Sequence, residues 1–228
     1  MGAAALREQF DSFLGGPLDW RARPLPDTVP SGVAGIELPR GGLVEIVGPA
    51  SSGRTSLLLA ILAAAGARQE ACALVDAEDA FDPASAAVRG VRLDRLIWVR
   101  CAHNAEHALK AADLLIQGGG FGLVIMDLGD TPQESARRIS LTSWFRLRRA
   151  VENTPAVLLA VARQSNAKTC ASLMLECARE GSIWAGKSSA PSVGRFLRSI
   201  RVRVARSKPG RALAVSFSCA GQPWRPAS

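Results

Sequence analysis

Gly48-Pro49-Ala50-Ser51-Ser52-Gly53-Arg54-Thr55 sets glycine, glycine and a hydroxyl at the spacing of the phosphate-binding pattern G-x-x-x-x-G-K-[ST], with arginine in the lysine position. In such a loop the glycines let main-chain N–H groups turn inward around phosphate oxygens. The following helix adds its positive end, and the Ser/Thr hydroxyl holds Mg²⁺. Gly48, Ser51, Ser52, Gly53, Arg54, Thr55 and Ser56 are therefore the candidate phosphate-binding residues, with Thr55 also a candidate metal ligand. Arg54 keeps the positive charge, but a planar fork does not slot between β- and γ-phosphate as a compact ammonium does. Nucleotide binding can survive this exchange while hydrolysis is impaired.

Three further groups would complete such a site. Asp76, Glu78, Asp79 and Asp82 follow the next apolar run, at the strand end where α/β sheets bind ligands. Glu78 can polarise a water towards a γ-phosphate, while Asp82 also fits as the cap of a helix opened by Pro83. Gly122-Leu123-Val124-Ile125-Met126-Asp127 is an apolar strand ending in an acid, the form of a Walker-B segment, and Asp127 would hold Mg²⁺ through its water shell. Gln164 is a lone amide just past a later strand, placed to sense a γ-phosphate, although as an isolated residue it reads equally as plain loop.

Other residues bear on partners. Arg138, Arg146 and Arg149 fall on one helical face with Thr142, opposite Leu141, Trp144, Phe145 and Leu147. That face is either solvated, a set of phosphate contacts, or a dock for an acidic protein surface. Trp184 and Lys187 lie in a Gly- and Ser-containing linker, where the ring either stacks a base or folds back on the core. His103 and His107, at i, i+4 on an expected helix, have no cysteine or paired acid beside them and read as a solvated face.

The elements that must position these residues follow from the pattern. The chain has 228 residues, 48% apolar, enough for one substantial core, and no apolar run reaches the ~20 residues of a membrane span. No secretory signal is legible, and five scattered cysteines read as reduced core residues of a cytoplasmic protein. Lysine occurs only at 110, 168, 187 and 208, so compositional drift explains the choice of arginine over lysine, but not the net charge of +8, which points to nucleic acid or an acidic protein surface. Residues 1–32 read as an arm, with a short amphipathic helix over Ala4–Leu14 and then prolines. Residues 33–219 read as the core and 220–228 as a frayed tail.

Within the core the rhythm is strand then helix. Strands are expected over Leu43–Val47, Cys72–Val75, Leu96–Arg100, Leu123–Met126 and Ala156–Ala162. Helices are expected over Thr55–Ala67, Pro83–Arg89, Ala105–Gln117 and Gln133–Glu152. Continuous apolar strands alternating with helices predict a mostly parallel α/β sheet covered on both faces. After Gln164 the runs Leu173–Cys177, Ile200–Val204 and Leu213–Phe217 alternate, with a turn at 207–210, which predicts an antiparallel extension.

Val44 to Thr55 followed by Asp76-Ala77-Glu78-Asp79-Ala80-Phe81-Asp82-Pro83 resembles the ATPase core of bacterial RecA recombinases, over about residues 30–218. That resemblance implies a RecA-like P-loop NTPase core binding ATP and Mg²⁺. By it, Glu78 matches the catalytic glutamate, Asp127 the Walker-B acid, Gln164 the glutamine coupling nucleotide state to DNA, and Asp82 an adenine contact. Arg206 and Lys208 match two lysines that reach a neighbour's ATP across a filament interface. The departures are Arg54, Ser85 in place of an aromatic residue, Leu128 for serine, Arg163 for asparagine, and a segment after Gln164 too short for RecA's second DNA-binding loop.

Leu93 to Arg100 and Arg137 to Leu141 are also similar to segments of the ImuA (SulA-like) branch of RecA-related proteins. Membership there would imply an accessory role in SOS mutagenesis, with contacts to RecA or to translesion proteins: an ImuB-like partner and an error-prone polymerase. DNA binding would then be weak, single-stranded and salt-sensitive. The competing readings are an active DNA-dependent ATPase, and a structural paralogue whose pocket is blocked by its own arginines.

Overall fold

Apolar runs without polar alternation must be buried on both faces, and they are met here by one eight-stranded sheet between two helical layers. A computed structural model of the protein describes residues 27–185, 196–208 and 214–220. Strands β1 (Thr28–Pro30) and β2 (Glu37–Pro39) make a small antiparallel pair. The large sheet is built from β3 (Leu43–Val47), β4 (Cys72–Asp76), β5 (Leu96–Arg100), β6 (Leu123–Leu128) and β7 (Val157–Ala162). It is completed by β8 (Leu173–Ala185), β9 (Phe196–Lys208) and β10 (Ala214–Ala220). Their order is β5-β4-β6-β7-β3-β8-β9-β10. The strands from β5 to β8 are parallel, whereas β9 and β10 run antiparallel. The fold class read from the sequence is the one observed.

Alternate residues of each parallel strand feed opposite layers. Leu123 and Ile125 of β6 join one core with Leu57, Leu58, Ile61 and Leu62 of helix α1 (Arg54–Ala67) and Ala86 of α2 (Pro83–Val88). Val124 and Met126 join the other, with Ala108, Ala112 and Leu115 of α3 (Ala105–Gly118) and Trp144 and Leu147 of α5 (Leu141–Val151). All five cysteines are buried and free, and burial pushes the Cys72 and Cys177 thiols up to about 12. No helix among the described residues is long and apolar enough to cross a membrane.

The structure corrects three local expectations. The long helix over 133–152 is two: α4 (Gln133–Arg137), then a turn, then α5. The break comes because Ser140 caps a new helix by accepting from Ser143 N at 3.2 Å. Arg138 therefore leaves the face shared by Arg146 and Arg149, and Leu141 and Phe145, 42% and 44% exposed, leave the core side. His103 precedes α3 with a φ of 63°, because Asn104 caps that helix through Glu106 N and His107 N. The two histidines therefore do not share a helical face. Trp184 is not in a linker: it pairs with Leu197 within the β8–β9 ladder. The Ala4–Leu14 helix, Lys187, the turn at 207–210 in all but its strand end, and the tail at 221–228 lie outside the described residues, as do the side chains of Arg206 and Lys208.

One polar residue breaks the apolar rule. Glu45 sits mid-way along β3 with no solvent exposure, and it accepts hydrogen bonds from Ser165 Oγ (2.7 Å), Asn166 N (2.6 Å) and Ala167 N (2.9 Å). A buried carboxylate is tolerated only with such donors, and here they tie the β7–β8 connection to the central strand. Glu45→Ala would strand two buried N–H groups and should cost about 2–4 kcal/mol, with Glu45→Gln losing less. Urea unfolding midpoints measure this, and a loss under ~1 kcal/mol for Glu45→Ala would show that the connection holds without its anchor.

Candidate functional site

Chain order and sheet order diverge at β3. It lies between β7 and β8, while the next strand in sequence, β4, lies beyond both β7 and β6. Such a divergence opens a crevice at the carboxyl ends of the strands, and residues 48–53 occupy it. Ser51 takes a φ of 58° and Gly53 a φ of 97° as the loop curls into α1. A methyl group at Gly53 would meet Val202 Cγ2 at 2.3 Å, and one at Gly48 would meet the Cys177 carbonyl at 2.5 Å and Ser52 Oγ at 2.6 Å. Both glycines are required because β8 and β9 press directly on the loop.

The curl opens onto a cleft of about 280 Å³ lined by Ser51, Ser52, Gly53, Arg54, Thr55, Ser56, Arg179 and Ile200. The lining residues include two arginines and four that carry hydroxyls, and none is acidic. Ser52 Oγ is buried and has no hydrogen-bond partner. Helix α1 begins here with no side-chain cap, so its first N–H groups have no side-chain acceptor. A helix start without a side-chain cap and arginines with no acid in the lining suit a phosphate-bearing ligand, while the orphan Ser52 hydroxyl lies buried against Gly48 within the loop.

Arg54 does not point only into this cleft. It is 7% exposed, and its Nη1 donates to the carbonyl of Gly129 at 2.9 Å. Arg163 Nε donates to the same carbonyl at 3.3 Å. Burial lowers the Arg54 pKa, while the nearby charges of Asp127 and Asp130 raise it. Asp127 Oδ1 accepts from Gly129 N at 2.8 Å, so Arg54 and Asp127 grip the two faces of one peptide turn.

Glu78, Asp127 and Gln164 come from the same carboxyl edge of the sheet, since β4 and β6 pair Asp76 with Asp127 and β6 and β7 pair Leu128 with Ala162. None of the three lines the cleft. Glu78 Oε2 is 2.8 Å from His103 Nδ1, an interaction that raises the His103 pKa, and Glu78 Oε1 is buried without a partner. Gln164 Oε1 accepts from Arg137 Nη2 at 3.3 Å. The rest of the acid cluster has local work. Asp76 accepts from Ala80 N, Phe81 N and Trp98 Nε1, Asp79 pairs with Arg100 at 3.0 Å, and Asp82 caps α2 through Ala84 N and Ser85 N. Arg146 faces Asp113 at 3.5 Å.

Sequence reasoning missed Glu45, the His103 partner of Glu78, the Gly129 carbonyl and Arg179. Only Glu45 carried a signal, as the one charged residue inside an apolar strand. A divalent ion fits poorly as these residues stand. Thr55 lines the cleft, but Asp127 does not, and the cation beside Asp127 is already Arg54.

Burial pushes the Asp127 carboxyl up to about 6, with the Gly129 N–H and then Arg54 opposing and Asp76 adding to the rise. An acid raised on folding loses stability as pH climbs from its unfolded value to its folded one, here from about 4 to about 6. Asp127→Asn keeps an acceptor for Gly129 N without the charge. It should therefore be more stable than the parent at pH 7.5 by ~2–3 kcal/mol, melting at a higher temperature, and match it near pH 4. Equal melting at both pH values would place the Asp127 charge in a solvated setting.

The comparisons with known proteins agree with this geometry. Residues 27–133 match the family described as RecA N-terminal domain. Relatives include Protein RecA of Rickettsia massiliae (strain Mtu5), 45% identical over 96 residues, which is 42% of this chain and 27% of that protein. Protein RecA of Teredinibacter turnerae is 46% identical over 90 residues, 40% of this chain and 26% of that protein. For Protein RecA of Ectopseudomonas oleovorans the values are 40% over 108 residues, 44% and 31%. The chain thus spans roughly a quarter to a third of the length of the relatives it matches. The stretch matched by the family runs from β1 through β6 and contains the phosphate loop, Glu78 and Asp127, and over it the sequence is similar to the RecA N-terminal domain.

Proposed function

We propose that the protein is a RecA-like nucleotide-binding accessory factor of the DNA-damage response, acting through contacts with RecA or with translesion proteins. The observation that carries the nucleotide part is the cleft: a glycine-shaped loop, an uncapped helix start, an orphan serine hydroxyl and two arginines, with no carboxylate in the lining. Triphosphates are the ligands that such a loop takes in the proteins it resembles, and ATP is the nucleotide expected.

The accessory part rests on what joins β7 to β8. Residues 163–172 make that connection, with a single 3-10 turn at Lys168–Cys170, and Glu45 fixes it to β3. A connection so short and so tied down is not a loop that could thread along a DNA strand. Strand exchange is accordingly not part of the proposal. Any DNA binding is weak, single-stranded, sequence-blind and salt-sensitive. Arg146 and Arg149 on α5, with Phe145 exposed between Thr142 and Arg146, offer the partner surface.

One observation favours the rival reading, an active DNA-dependent ATPase. Glu78 Oε1 is buried and unpartnered, as a carboxylate kept free for water would be. Single-turnover ATP hydrolysis with and without single-stranded DNA separates the two. Rapid turnover abolished in Glu78→Gln would overturn the accessory reading. A pull-down with RecA and the translesion polymerases tests the partner, and capture of none of them removes that part of the proposal.

The arginine in the loop gives a sharper expectation. Arg54→Lys replaces the fork held by Gly129 with an ammonium able to reach between phosphates, and hydrolysis should rise by about tenfold or more. Initial rates of phosphate release measure this. Unchanged or lower rates would mean that Glu78 and Asp127, rather than Arg54, limit the site.

A further inference from the structure

A phosphate loop of this kind ordinarily shares the charge of its ligand with a divalent ion held by the Ser/Thr and the Walker-B acid. In this protein the two halves of that arrangement are separated. Thr55 is in the cleft lining, while Asp127 is outside it and shares the Gly129 turn with Arg54. A methyl group on Gly129 would lie 2.9 Å from Asp127 Oδ1 and 3.1 Å from Arg54 Nη1, so the guanidinium already stands close to where the acid would face an ion. A cation bound between Asp127 and a phosphate would have to share that space with a fixed positive charge.

The cleft has its own replacement. Arg179 enters the lining from β8, at a point where the β8–β9 register slips between Arg179 and Gly181. Such a slip re-aims a side chain out of the regular alternation. Arg54, its guanidinium held on the Gly129 carbonyl at the back of the loop, and Arg179 at the rim thus bring two permanent charges to a cleft whose lining also includes Ser51, Ser52, Thr55 and Ser56. Guanidinium forks bind phosphate oxygens in bidentate fashion and stay ionised at any ordinary pH.

We infer that the cleft holds the polyphosphate of its nucleotide without a divalent cation, Arg54 and Arg179 neutralising the charge that magnesium neutralises elsewhere. The inference rests on the nucleotide-binding reading and goes beyond it, because it reverses the usual metal dependence. Free ATP carries more negative charge than its magnesium complex. A site whose only cations are its own arginines should bind the free form at least as tightly.

Calorimetric titration of the full chain tests this with ATP in excess magnesium, ATP in excess EDTA, and inorganic tripolyphosphate in EDTA as a probe of charge alone. The expected result is an ATP Kd in EDTA equal to or lower than in magnesium, with tripolyphosphate also binding. ATP binding weakened fivefold or more by EDTA would overturn the metal-free cradle while leaving nucleotide binding intact. Tripolyphosphate binding without ATP binding would do the opposite, sparing the cradle and ending the nucleotide reading. No heat from any ligand would end both.

Variants sharpen the assignment. Arg179→Ala should weaken ATP binding in EDTA by about tenfold, with an unchanged circular dichroism spectrum and melting temperature because the side chain is exposed. Arg54→Lys should make binding magnesium-dependent, since an ammonium leaves room beside Asp127 for the ion. Arg179→Ala binding with parental affinity, or Arg54→Lys remaining indifferent to EDTA, would count against the roles given to these arginines.

Discussion

The phosphate loop keeps its shape because β8, the neighbour of β3, and the antiparallel β9 beyond it press on the loop. Val202 of β9 leaves no room for a side chain at Gly53, and the Cys177 carbonyl of β8 leaves none at Gly48. The loop is thus clamped between the end of β3 below and the antiparallel extension above. Packing of this kind is stiff, since interiors tolerate neither voids nor overlaps of an ångström. It fixes the curl of the loop before any ligand arrives, which would lower the ordering cost of binding. The same extension delivers Arg179 to the rim, so the clamp and the second cation have one structural origin.

Arg54 decides what the array can do. A lysine has a flexible stem and a point charge that can follow a moving phosphate. The guanidinium of Arg54 instead bonds the Gly129 carbonyl, which Arg163 also bonds, and it leans on the charges of Asp127 and Asp130. Phosphoryl transfer is catalysed chiefly by charge placed where it develops between the β- and γ-phosphates. A cation pinned to the turn after β6 stabilises bound phosphate without following that charge. On the proposed reading, one side chain would separate the binding and the catalysis that a lysine joins.

The fold was legible in the sequence because its signal is redundant. The central parallel strands are runs such as Leu43–Val47 or Leu123–Met126, in which every residue is buried, and only a two-sided sheet satisfies that. The loop was legible because glycine spacing reports a backbone requirement directly. What escaped notice depends on distance in three dimensions. That Glu45 would find donors at 165–167, that His103 would turn out of its expected helix to meet Glu78, or that Arg54 would reach Gly129 is fixed by neighbours over seventy residues away in two of the three cases. The helix over 133–152 failed for a local reason, because Ser140 offered the backbone a cap that periodicity does not register. The acid cluster at 76–82 misled in another way. Its position suggested acids facing one crevice, whereas the structure gives Asp76, Asp79 and Asp82 separate partners and leaves one oxygen each of Glu78 and Asp79 buried without a partner.

Shortening the β7–β8 connection has a consequence for the site itself. In a sheet of this order β7 and β8 flank β3, so whatever joins them must cross the end of the strand that carries the phosphate loop. A long crossing segment could shift with the ligand and relay its presence outward. Residues 163–172 cannot shift far, because Glu45 takes two of their main-chain N–H groups and Ser165 Oγ from inside the sheet. Gln164 rides on this fixed segment and is already engaged by Arg137. A nucleotide signal would therefore have to leave the site by another route. The element with a free hand is the Gly129 turn, where Arg54, Arg163 and Asp127 meet and from which the chain runs straight into α4 and the arginines of α5. A ligand that drew Arg54 towards the cleft would have to compete with its bond to Gly129, and so would act on the turn that leads from β6 to α4 and α5.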